Sequence, residues 1–297
     1  MKNERPLRFS VIIPVYNNWD QLKLCLNAIK AQSIDNDNVE IIVVDNGSKS
    51  PAPDEISNNK NIRFVSEKKP GSYAARNTGA SKAKGEILAF TDSDCIPDTD
   101  WLKNADKLFV ATDCDSIGGE IKIFRSDDGS RYAYVYESYH AFKQKEWVPK
   151  GISCTANHFV KKSVFNDVNG FDTTLKSGGD WEFSNRCVDN GYVMKYGEYV
   201  IVLHPARKNL KAMMKKHYRH ICWSSIIVRK KHNCSQFKLM LSSLKYNILS
   251  IFKSRSYVHS LNHRLILFYV DFVKINVQFV VHFLIFLGIV DPNKARE

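Results

Sequence analysis

The strongest constraint on the fold is an alternation of short apolar runs with helix-like segments in the N-terminal part of the chain. The strand-like runs are 9–16, 39–44, 62–65 and 86–91, and the helix-like segments between them are 19–32 and 72–83. Strands that alternate with helices predict βαβ units and a mostly parallel sheet. The runs are apolar with little alternation, as expected when helices cover both faces of a sheet. The sequence therefore predicts an α/β fold.

Polar residues follow three of these predicted strands directly. Asn17 follows the first, Asp45 ends the second, and Asp92 and Asp94 follow the fourth. Ligands of open α/β sheets bind beyond the carboxyl ends of the strands, where we expect these residues to meet. Residues i and i+2 of an extended segment point to one side, so Asp92 and Asp94 offer the oxygen ligands that Mg²⁺ or Mn²⁺ prefers. A turn or a helix cap is the alternative interpretation of this Asp-x-Asp.

Several enzyme classes lack their signatures here. The chain contains no G-x-G-x-x-G, G-x-x-x-x-G-K-[ST], H-E-x-x-H or G-x-S-x-G, which disfavours Rossmann dehydrogenases, P-loop NTPases, zinc proteases and serine hydrolases. Seven cysteines without a C-x-x-C argue against a disulfide framework or a structural zinc site and favour a reducing compartment. The N-terminal residues do not resemble a secretory signal, so we expect a cytoplasmic protein.

The positive charge is concentrated in one segment. The net charge is +12, and residues 204–264 carry 14 Lys and Arg without an acidic residue. Four of them, Lys208, Lys211, Lys215 and Arg219, recur at helical spacing. Such a stripe indicates an anionic membrane surface, an anionic ligand or simply a solvated helix face. A second, apolar helical stripe follows at Phe237, Leu241, Leu244, Ile248 and Phe252.

The C-terminal segment 265–290 predicts a long apolar helix. Its polar residues Asp271, Lys274, Gln278 and His282 fall within about 80° of one another at helical spacing. These polar residues would be costly inside a bilayer, so we do not expect a spanning helix. We favour docking on an anionic membrane surface; an oligomer interface, or packing against the rest of the chain, is the alternative.

Four N-terminal motifs resemble those of family 2 glycosyltransferases, which have the GT-A fold. They are FSVIIPVYNN (9–18), VVDNGS (43–48), PGSYAARNTG (70–79) and GEILAFTDSD (85–94). Four later segments resemble a bacterial, surface-polysaccharide branch of that family: TAN (155–157), VNGFD (168–172), SGGDWEF (177–183) and VLHPAR (202–207). The resemblance covers about residues 8–225 and keeps the family's order.

The resemblance implies a nucleotide-sugar site with a divalent metal, Mg²⁺ or Mn²⁺. It assigns the nucleotide-sugar donor to Pro14, Tyr16, Asp45, Arg76 and Asp92, and the metal to Asp94 and His204. Each residue also has a structural interpretation, such as a turn at Asp45 or a satisfied histidine at His204. The resemblance further implies a single displacement that inverts the anomeric centre.

On the acceptor side, the resemblance makes Asp180 the general base, with Asn157, Trp181 and Glu182 as candidate acceptor contacts. Many members have Glu-Asp where this chain has Gly179-Asp180, and Glu182 is the alternative base. Asp180 as a helix cap and Asn157 as a turn residue are the structural interpretations. Aromatic residues at 132, 134, 136, 139, 142 and 147 belong to the core or stack on sugars.

Together these features predict a catalytic GT-A domain over 1–207 and a basic, amphipathic helical region over 208–297. The predicted activity is metal-dependent transfer of one sugar per visit, since the Q-x-x-R-W of processive synthases is absent. We expect a lipid-linked glycan acceptor in surface polysaccharide synthesis, a peripheral position on the inner face of the cell membrane, and no nucleic-acid partner. A homo-oligomer remains open, and the alternative functions are a non-catalytic binding module and a nucleotidyltransferase.

Overall fold

The structure is a computed structural model that describes residues 7–175, 177–232, 235–242 and 258–292. The chain forms two compact units. The first runs to Lys122 and resumes from Phe142 to Pro205, and the second comprises Ile123–Ala141 and the described residues from Ala206 onward. The sequence places a domain boundary after residue 207, near the end of the first unit, but does not assign Ile123–Ala141 to the C-terminal unit.

One mixed sheet organises the first unit. Its strands are β1 (Phe9–Val15), β2 (Val39–Asp45), β3 (Ile62–Ser66), β4 (Ile87–Thr91), β5 (Ile96–Pro97), β6 (Ser116–Phe124), β7 (Asn157–Lys161) and β8 (Met194–Pro205). Their spatial order is β3-β2-β1-β4-β7-β6-β8-β5. The first four strands in that order are parallel, whereas β7 pairs antiparallel with β4 and β6, and β5 pairs antiparallel with β8.

The α/β fold is confirmed, and the parallel part of the sheet is the part that the sequence pattern predicted. The predicted strands agree with β1 to β4 to within a residue or so at each end. The antiparallel pairings are an addition that the sequence analysis did not include. They arise where β6, β7 and β8 extend the sheet beyond the βαβ units.

The helices that accompany the strands are numbered in chain order. They are α1 (Trp19–Lys30), α2 (Asp54–Ser57), α3 (Ser72–Lys82), α4 (Trp101–Thr112), α5 (Arg131–His140), α6 (Gln144–Trp147), α7 (Lys162–Asp167), α8 (Gly179–Asp189), α9 (Leu210–His232) and α10 (Leu261–Phe286). Residues 236–242 are also helical, and Asn36–Asn38 and Val148–Lys150 form 3₁₀ turns.

Two apolar layers cover the sheet, one on each face. Alternate residues of β1 explain them: Val11 and Ile13 belong to one buried cluster, which includes residues of α1 and α4. Ile12 belongs to the other cluster, which includes residues of α3, α7 and α8. Successive side chains of a strand point to opposite faces, so both sets must be apolar when both faces are covered. This is why the strands read as continuous apolar runs.

The second unit is helical. Met213 of α9 packs with Ala133 of α5 and Val270 of α10, and Ile221 of α9 packs with Val281 of α10. The predicted helix over 265–290 is observed four residues earlier, and it is long and apolar enough to cross a membrane by length and composition alone. Phe237 and Leu241 of the predicted apolar stripe lie in the helical residues 236–242, whereas Leu244, Ile248 and Phe252 lie outside the described residues.

Candidate active site

The loops that follow β1, β2 and β4 are joined by hydrogen bonds at the carboxyl edge of the sheet. The Asn17 backbone N–H donates to the Ser48 hydroxyl at 2.8 Å, and the Asn17 side chain accepts from the Lys49 N–H at 2.7 Å. The Asn18 amide donates to the Ser93 hydroxyl at 3.2 Å. The structure therefore brings together the three loops that the strand pattern predicted to meet.

The predicted nucleotide residues of the first two loops differ in exposure. Tyr16 is 46% exposed, and Asp45 is half-buried and accepts from the Ser48 N–H at 3.0 Å. Pro14 is buried within β1 beside Val44. The β1–β4 ladder ends at Ile12, two residues before the proline that has no N–H to donate. Pro14 therefore lies where β1 continues beside β2 alone.

Asn46 holds the loop that leads into α3, a role that the sequence analysis missed. Its amide donates to the carbonyl oxygens of Glu67 and Lys69 at 3.1 and 2.8 Å, and its oxygen accepts from the Gly71 N–H at 2.7 Å. Gly71 has a φ of +127°, a conformation that favours glycine. The signal in the sequence was an asparagine directly after the strand-ending Asp45.

Arg76 of α3 lies beneath the Asp-x-Asp. Its guanidinium is 3% exposed and donates to a carboxylate oxygen of half-buried Asp92. Its Nε is buried and has no hydrogen-bond partner among the described residues. Arginine remains charged in proteins, so Arg76 supplies a fixed positive charge at this edge of the sheet.

His204 lies at the end of β8 and faces Asp94. Its Nδ1 is 2.8 Å from the Pro205 carbonyl oxygen, which can only accept, so Nδ1 carries the proton and Nε2 offers a lone pair. Nε2 is 3.9 Å from an Asp94 carboxylate oxygen, and the ring packs against Phe142 with centroids 4.7 Å apart. This orientation suits a metal ligand.

Four side chains at this position could hold a cation. The ligand atoms of Asp92, Asp94, Cys95 and His204 all lie within 4.8 Å of one another. Carboxylate oxygens and an imidazole nitrogen suit Mg²⁺ or Mn²⁺. Burial, followed by the charges of Asp92 and Asp94, raises the pKa of the Cys95 thiol well above its ordinary value. Sulfur is also a soft ligand, which Mg²⁺ and Mn²⁺ do not favour. The three oxygen and nitrogen donors therefore fit a divalent metal, and the thiol does not.

Asp180 lies in the first turn of α8, in contact with Tyr73 of α3. The Tyr73 hydroxyl lies 3.3 Å from an Asp180 carboxylate oxygen and accepts from the Gly179 N–H at 2.9 Å. Burial raises the pKa of Asp180, the positive charge of Arg76 partly offsets that rise, and Asp92 adds to it. A carboxylate with a raised pKa is the form of aspartate that is suited to accept a proton.

The structure also explains why this chain has Gly179 before Asp180. A Cβ at position 179 would lie 2.6 Å from Cε2 of the Tyr73 ring. The ring packs so closely that a larger residue at 179 would displace it. Glycine in place of the family's glutamate at position 179 therefore leaves room for the Tyr73 ring.

The three predicted acceptor residues lie in different environments. Trp181 is 43% exposed, and its ring meets Trp147 edge-on with centroids 5.6 Å apart. Glu182 forms a two-pronged ion pair with Arg186, at 2.8 and 2.7 Å. Asn157 is fully buried. The contacts of Glu182 and Asn157 favour structural roles, whereas Trp181 is open to a ligand.

Asn157 has its side-chain hydrogen bonds inside the protein. Its oxygen accepts from the Trp101 indole N–H at 2.8 Å, and its amide donates to the carbonyl oxygens of Glu120 and Val200, both at 2.8 Å. Both amide hydrogens are used, so the side chain joins β7 to β6 and β8 and has no donor left for an acceptor. The sequence-based expectation of an acceptor contact is not supported by this geometry.

A family model and a curated relative decide the family. The family model described as glycosyl transferase family 2 matches residues 10–168. The glycosyltransferase AglE of Haloferax volcanii is 37% identical over 217 residues, which cover 71% of this chain and 70% of AglE. The chain belongs to glycosyltransferase family 2. The family resemblance of the sequence motifs is thereby confirmed.

A second relative and a solved structure agree. GgaA, a minor teichoic acid biosynthesis protein of Bacillus subtilis, is 32% identical over 116 residues, which cover 36% of this chain and 25% of GgaA. The fold resembles the mannosyltransferase PcManGT of Pyrobaculum calidifontis, solved with GDP-Man and Mn²⁺, with a TM-score of 0.62 and 20% identity. That likeness covers 96% of this chain and 90% of PcManGT, and it supports the GT-A fold.

We predict that Asn157→Ala lowers the free energy of unfolding by about 3 kcal/mol, because it leaves the Trp101 indole and two buried carbonyls without partners. Chemical denaturation measures this loss. Asn58→Ala, at an exposed helix end, is the control and should change stability by less than about 0.5 kcal/mol. A stable Asn157→Ala protein with a specific rise in acceptor KM would instead assign Asn157 to the acceptor.

Proposed function

We propose that this glycosyltransferase moves one sugar per visit from a nucleotide-diphosphate donor to a hydroxyl of a lipid-linked glycan, with inversion at the anomeric carbon. The observation that carries the proposal is the meeting of a metal-binding set, a buried arginine and a base with a raised pKa at one edge of the sheet. Asp92, Asp94 and His204 form the set, Arg76 contacts Asp92, and the charges of Arg76 and Asp92 act on Asp180.

The donor nucleotide would lie against the loops after β1 and β2. The exposed ring of Tyr16 offers a face for the base, and Asp45 offers a carboxylate to ribose hydroxyls. The Pro14 side chain is buried, so Pro14 would act by fixing the backbone conformation that precedes Tyr16. The unpartnered Nε of Arg76 is consistent with an anionic ligand, because a buried donor without a partner is costly.

Asp94 and His204, beside Asp92, are the residues that would hold Mg²⁺ or Mn²⁺. A bound divalent cation would neutralise charge that develops on the departing diphosphate. The contact of Nδ1 with the Pro205 carbonyl orients the His204 ring so that Nε2 faces this position. The Mn²⁺ and GDP-Man in PcManGT support the same chemistry here.

Asp180 would remove the proton of the attacking hydroxyl. The acceptor oxygen bonds to the anomeric carbon while the bond from that carbon to the diphosphate oxygen breaks. The proton passes to an Asp180 oxygen, and the leaving nucleoside diphosphate keeps the electron pair. Attack from the face opposite the leaving group inverts the anomeric centre. Burial raises the pKa of Asp180, and the positive charge of Arg76 limits that rise.

An aromatic pair beside the base is suited to hold the acceptor sugar. Trp181 follows Asp180 directly in α8 and packs edge-on against Trp147. The exposed part of Trp181 offers an apolar face to the hydrophobic side of a sugar ring. We assign this pair, with Trp181 as its exposed member, to the acceptor.

The lipid-linked acceptor and a site of action on the inner face of the cell membrane complete the proposal. GgaA supports a role in surface polysaccharide assembly, since its name assigns it to teichoic acid biosynthesis. The segment 204–264, with 14 basic residues and no acid, supports contact with anionic lipid. A thermal-shift screen of nucleotide sugars would identify the donor, because a ligand that binds the native state raises the apparent stability of the protein.

Removing metal ions with a chelator should abolish transfer, and Mn²⁺ or Mg²⁺ should restore it. Asp94→Asn should lower kcat by roughly 10²-fold or more and raise the metal concentration needed for half-maximal rate, because it removes an anionic ligand. Asp37→Asn, on the loop before β2 at the opposite edge of the sheet, should behave as wild type. Full turnover in the chelator would remove the metal from the mechanism.

Asp180→Asn should lower kcat by roughly 10²- to 10⁴-fold while the donor Kd changes little, because the amide cannot accept the proton. Transfer rates and donor titration by calorimetry separate the two effects. Glu182→Gln is the matched control, since Arg186 already holds Glu182. A normal rate in Asp180→Asn, together with a loss in Glu182→Gln, would move the base to Glu182.

The pH profile should show the raised pKa of Asp180. The base works when it is deprotonated, so kcat/KM should be lost as the pH falls through that pKa. The midpoint should lie above the value of about 3.9 for an ordinary aspartate. Initial rates across the acid range, corrected for protein stability at each pH, measure this limb. A midpoint at or below the ordinary value contradicts the assignment of Asp180.

Trp181→Ala should raise the acceptor KM by about threefold to tenfold and leave hydrolysis of the donor by water unchanged, because the lost stacking acts on the acceptor alone. Trp181→Phe should recover part of the loss. The control is Tyr199→Ala, which removes another exposed aromatic ring from the first unit. Equal losses in transfer and donor hydrolysis would show that Trp181 does not act through the acceptor.

A further inference from the structure

Helix α10 of the second unit packs Lys274 and His282 against other residues of that unit. The Lys274 ammonium donates to the Tyr136 hydroxyl of α5 at 2.7 Å and lies 4.6 Å from the centre of that ring. His282 is 2% exposed, and its Nδ1 is 2.9 Å from the Gln236 amide nitrogen. The polar stripe that the sequence pattern identified thus faces the interior of the second unit.

Another face of α10 is apolar and exposed. Six of its large side chains are between 41% and 60% exposed: Leu265, Phe268, Phe272, Phe279, Phe283 and Phe286. At 100° per residue they fall within an arc of about 60°, on the side opposite to Lys274. Asn276 lies about 20° beyond this arc, and its amide donates to the Phe272 carbonyl at 2.7 Å. We call these six side chains the apolar face.

This arrangement reverses the usual pattern of a helix on a soluble protein, which turns its apolar side inward and its polar side to water. A contiguous exposed apolar patch marks a surface that is covered by a partner or a membrane. The patch continues on Phe237, which is 49% exposed and whose ring lies 5.9 Å from the Phe286 ring. The second unit is therefore built to present apolar side chains outward.

Basic residues accompany the apolar face in the same unit. Lys211, Lys215 and Lys216 of α9 are exposed, and they belong to the segment without acidic residues. A second copy of this chain would bring the same basic segment with it, whereas anionic lipid would neutralise it. Charge complementarity thus favours an anionic bilayer as the occupant.

We propose that α10 lies flat in the surface of an anionic lipid bilayer, with its apolar face inserted and the α9 lysines at the headgroups. The proposal rests on the proposed function and deepens it. It gives the enzyme a surface that binds the bilayer in which its lipid-linked acceptor would lie. Amphipathic helices that lie in the membrane plane combine inserted apolar side chains with basic residues in this way.

The packing of α9 decides between a flat and a spanning orientation. Met213 packs with Val270 and Ile221 with Val281, so α9 runs alongside α10 in the same direction. Lys215 and Lys216 therefore lie level with the middle of α10, and a spanning orientation would carry them into the hydrocarbon. A flat orientation leaves these lysines in the polar layer.

The first experiment is flotation of the full-length protein with phosphatidylcholine vesicles that contain, or lack, roughly one third phosphatidylglycerol. We expect binding that is stronger with the anionic lipid. The triple variant Phe268→Ser, Phe272→Ser, Phe279→Ser should bind at least about tenfold more weakly, because it removes inserted apolar area. The triple variant Lys211→Gln, Lys215→Gln, Lys216→Gln should lose the preference for anionic lipid.

The matched control is Leu24→Ser, Val110→Ser, Tyr199→Ser, which removes three exposed apolar side chains from the first unit. It should float like wild type. Near-UV circular dichroism and donor hydrolysis show that each variant is folded. Vesicle binding is measured without donor or acceptor, so an inactive protein that floats would overturn the proposed function alone, and an active protein that does not float would overturn this inference alone.

Depth measurements test the flat orientation. Leu265→Trp, Phe272→Trp and Phe283→Trp place a fluorophore along about 27 Å of the apolar face. Brominated lipids should quench all three at the same depth after subtraction of the wild-type signal. A depth that changes steadily along the helix would show a spanning helix and overturn the proposal. A dimer in sedimentation that the phenylalanine variant dissociates, without flotation of either protein, would assign the face to a second copy.

Discussion

The ion pair between the buried Arg76 guanidinium and Asp92 is the interaction on which the candidate site depends. Asp92, Asp94 and Asp180 place three carboxylates on elements that meet at one edge of the sheet, and burial raises the pKa of Asp180. Arg76 is 3% exposed and permanently charged, and it lowers the pKa of Asp180 while it binds Asp92. Helix α3 thus supplies, through Arg76, a positive charge that offsets part of the repulsion among these carboxylates.

Much of this arrangement could be predicted from the sequence. Strands β1, β2 and β4 are recognisable in the sequence because both faces of the sheet are covered, which makes each strand a continuous apolar run. The carboxyl ends of parallel strands meet at one edge of the sheet, which predicts that Asp45, Asp92 and Asp94 lie there. His204 and Asp180 are remote in sequence and came from the motifs, which carry information that periodicity alone does not. The structure brings His204 to Asp94 and Asp180 to Tyr73.

Other features depend on contacts that no local pattern encodes. Asn157 lies in a motif, but its three partners are Trp101, Glu120 and Val200, distant residues whose positions exist only in the folded sheet. The assignment of Ile123–Ala141 to the second unit rests likewise on packing against α9 and α10. The polar stripe of α10 was visible in the sequence, but its inward direction required the positions of Tyr136 and Gln236.

The close packing of Tyr73 on Gly179 ties two positions together in evolution. The ring fills the space that a side chain at 179 needs, and its hydroxyl accepts from the N–H groups of Gly179 and Asp180. A homologue with glutamate at the position of Gly179 must have a smaller or displaced side chain at the position of Tyr73. The two residues are therefore expected to covary among homologues, and an exchange of either alone would alter how α8 is joined to the helix that carries Arg76.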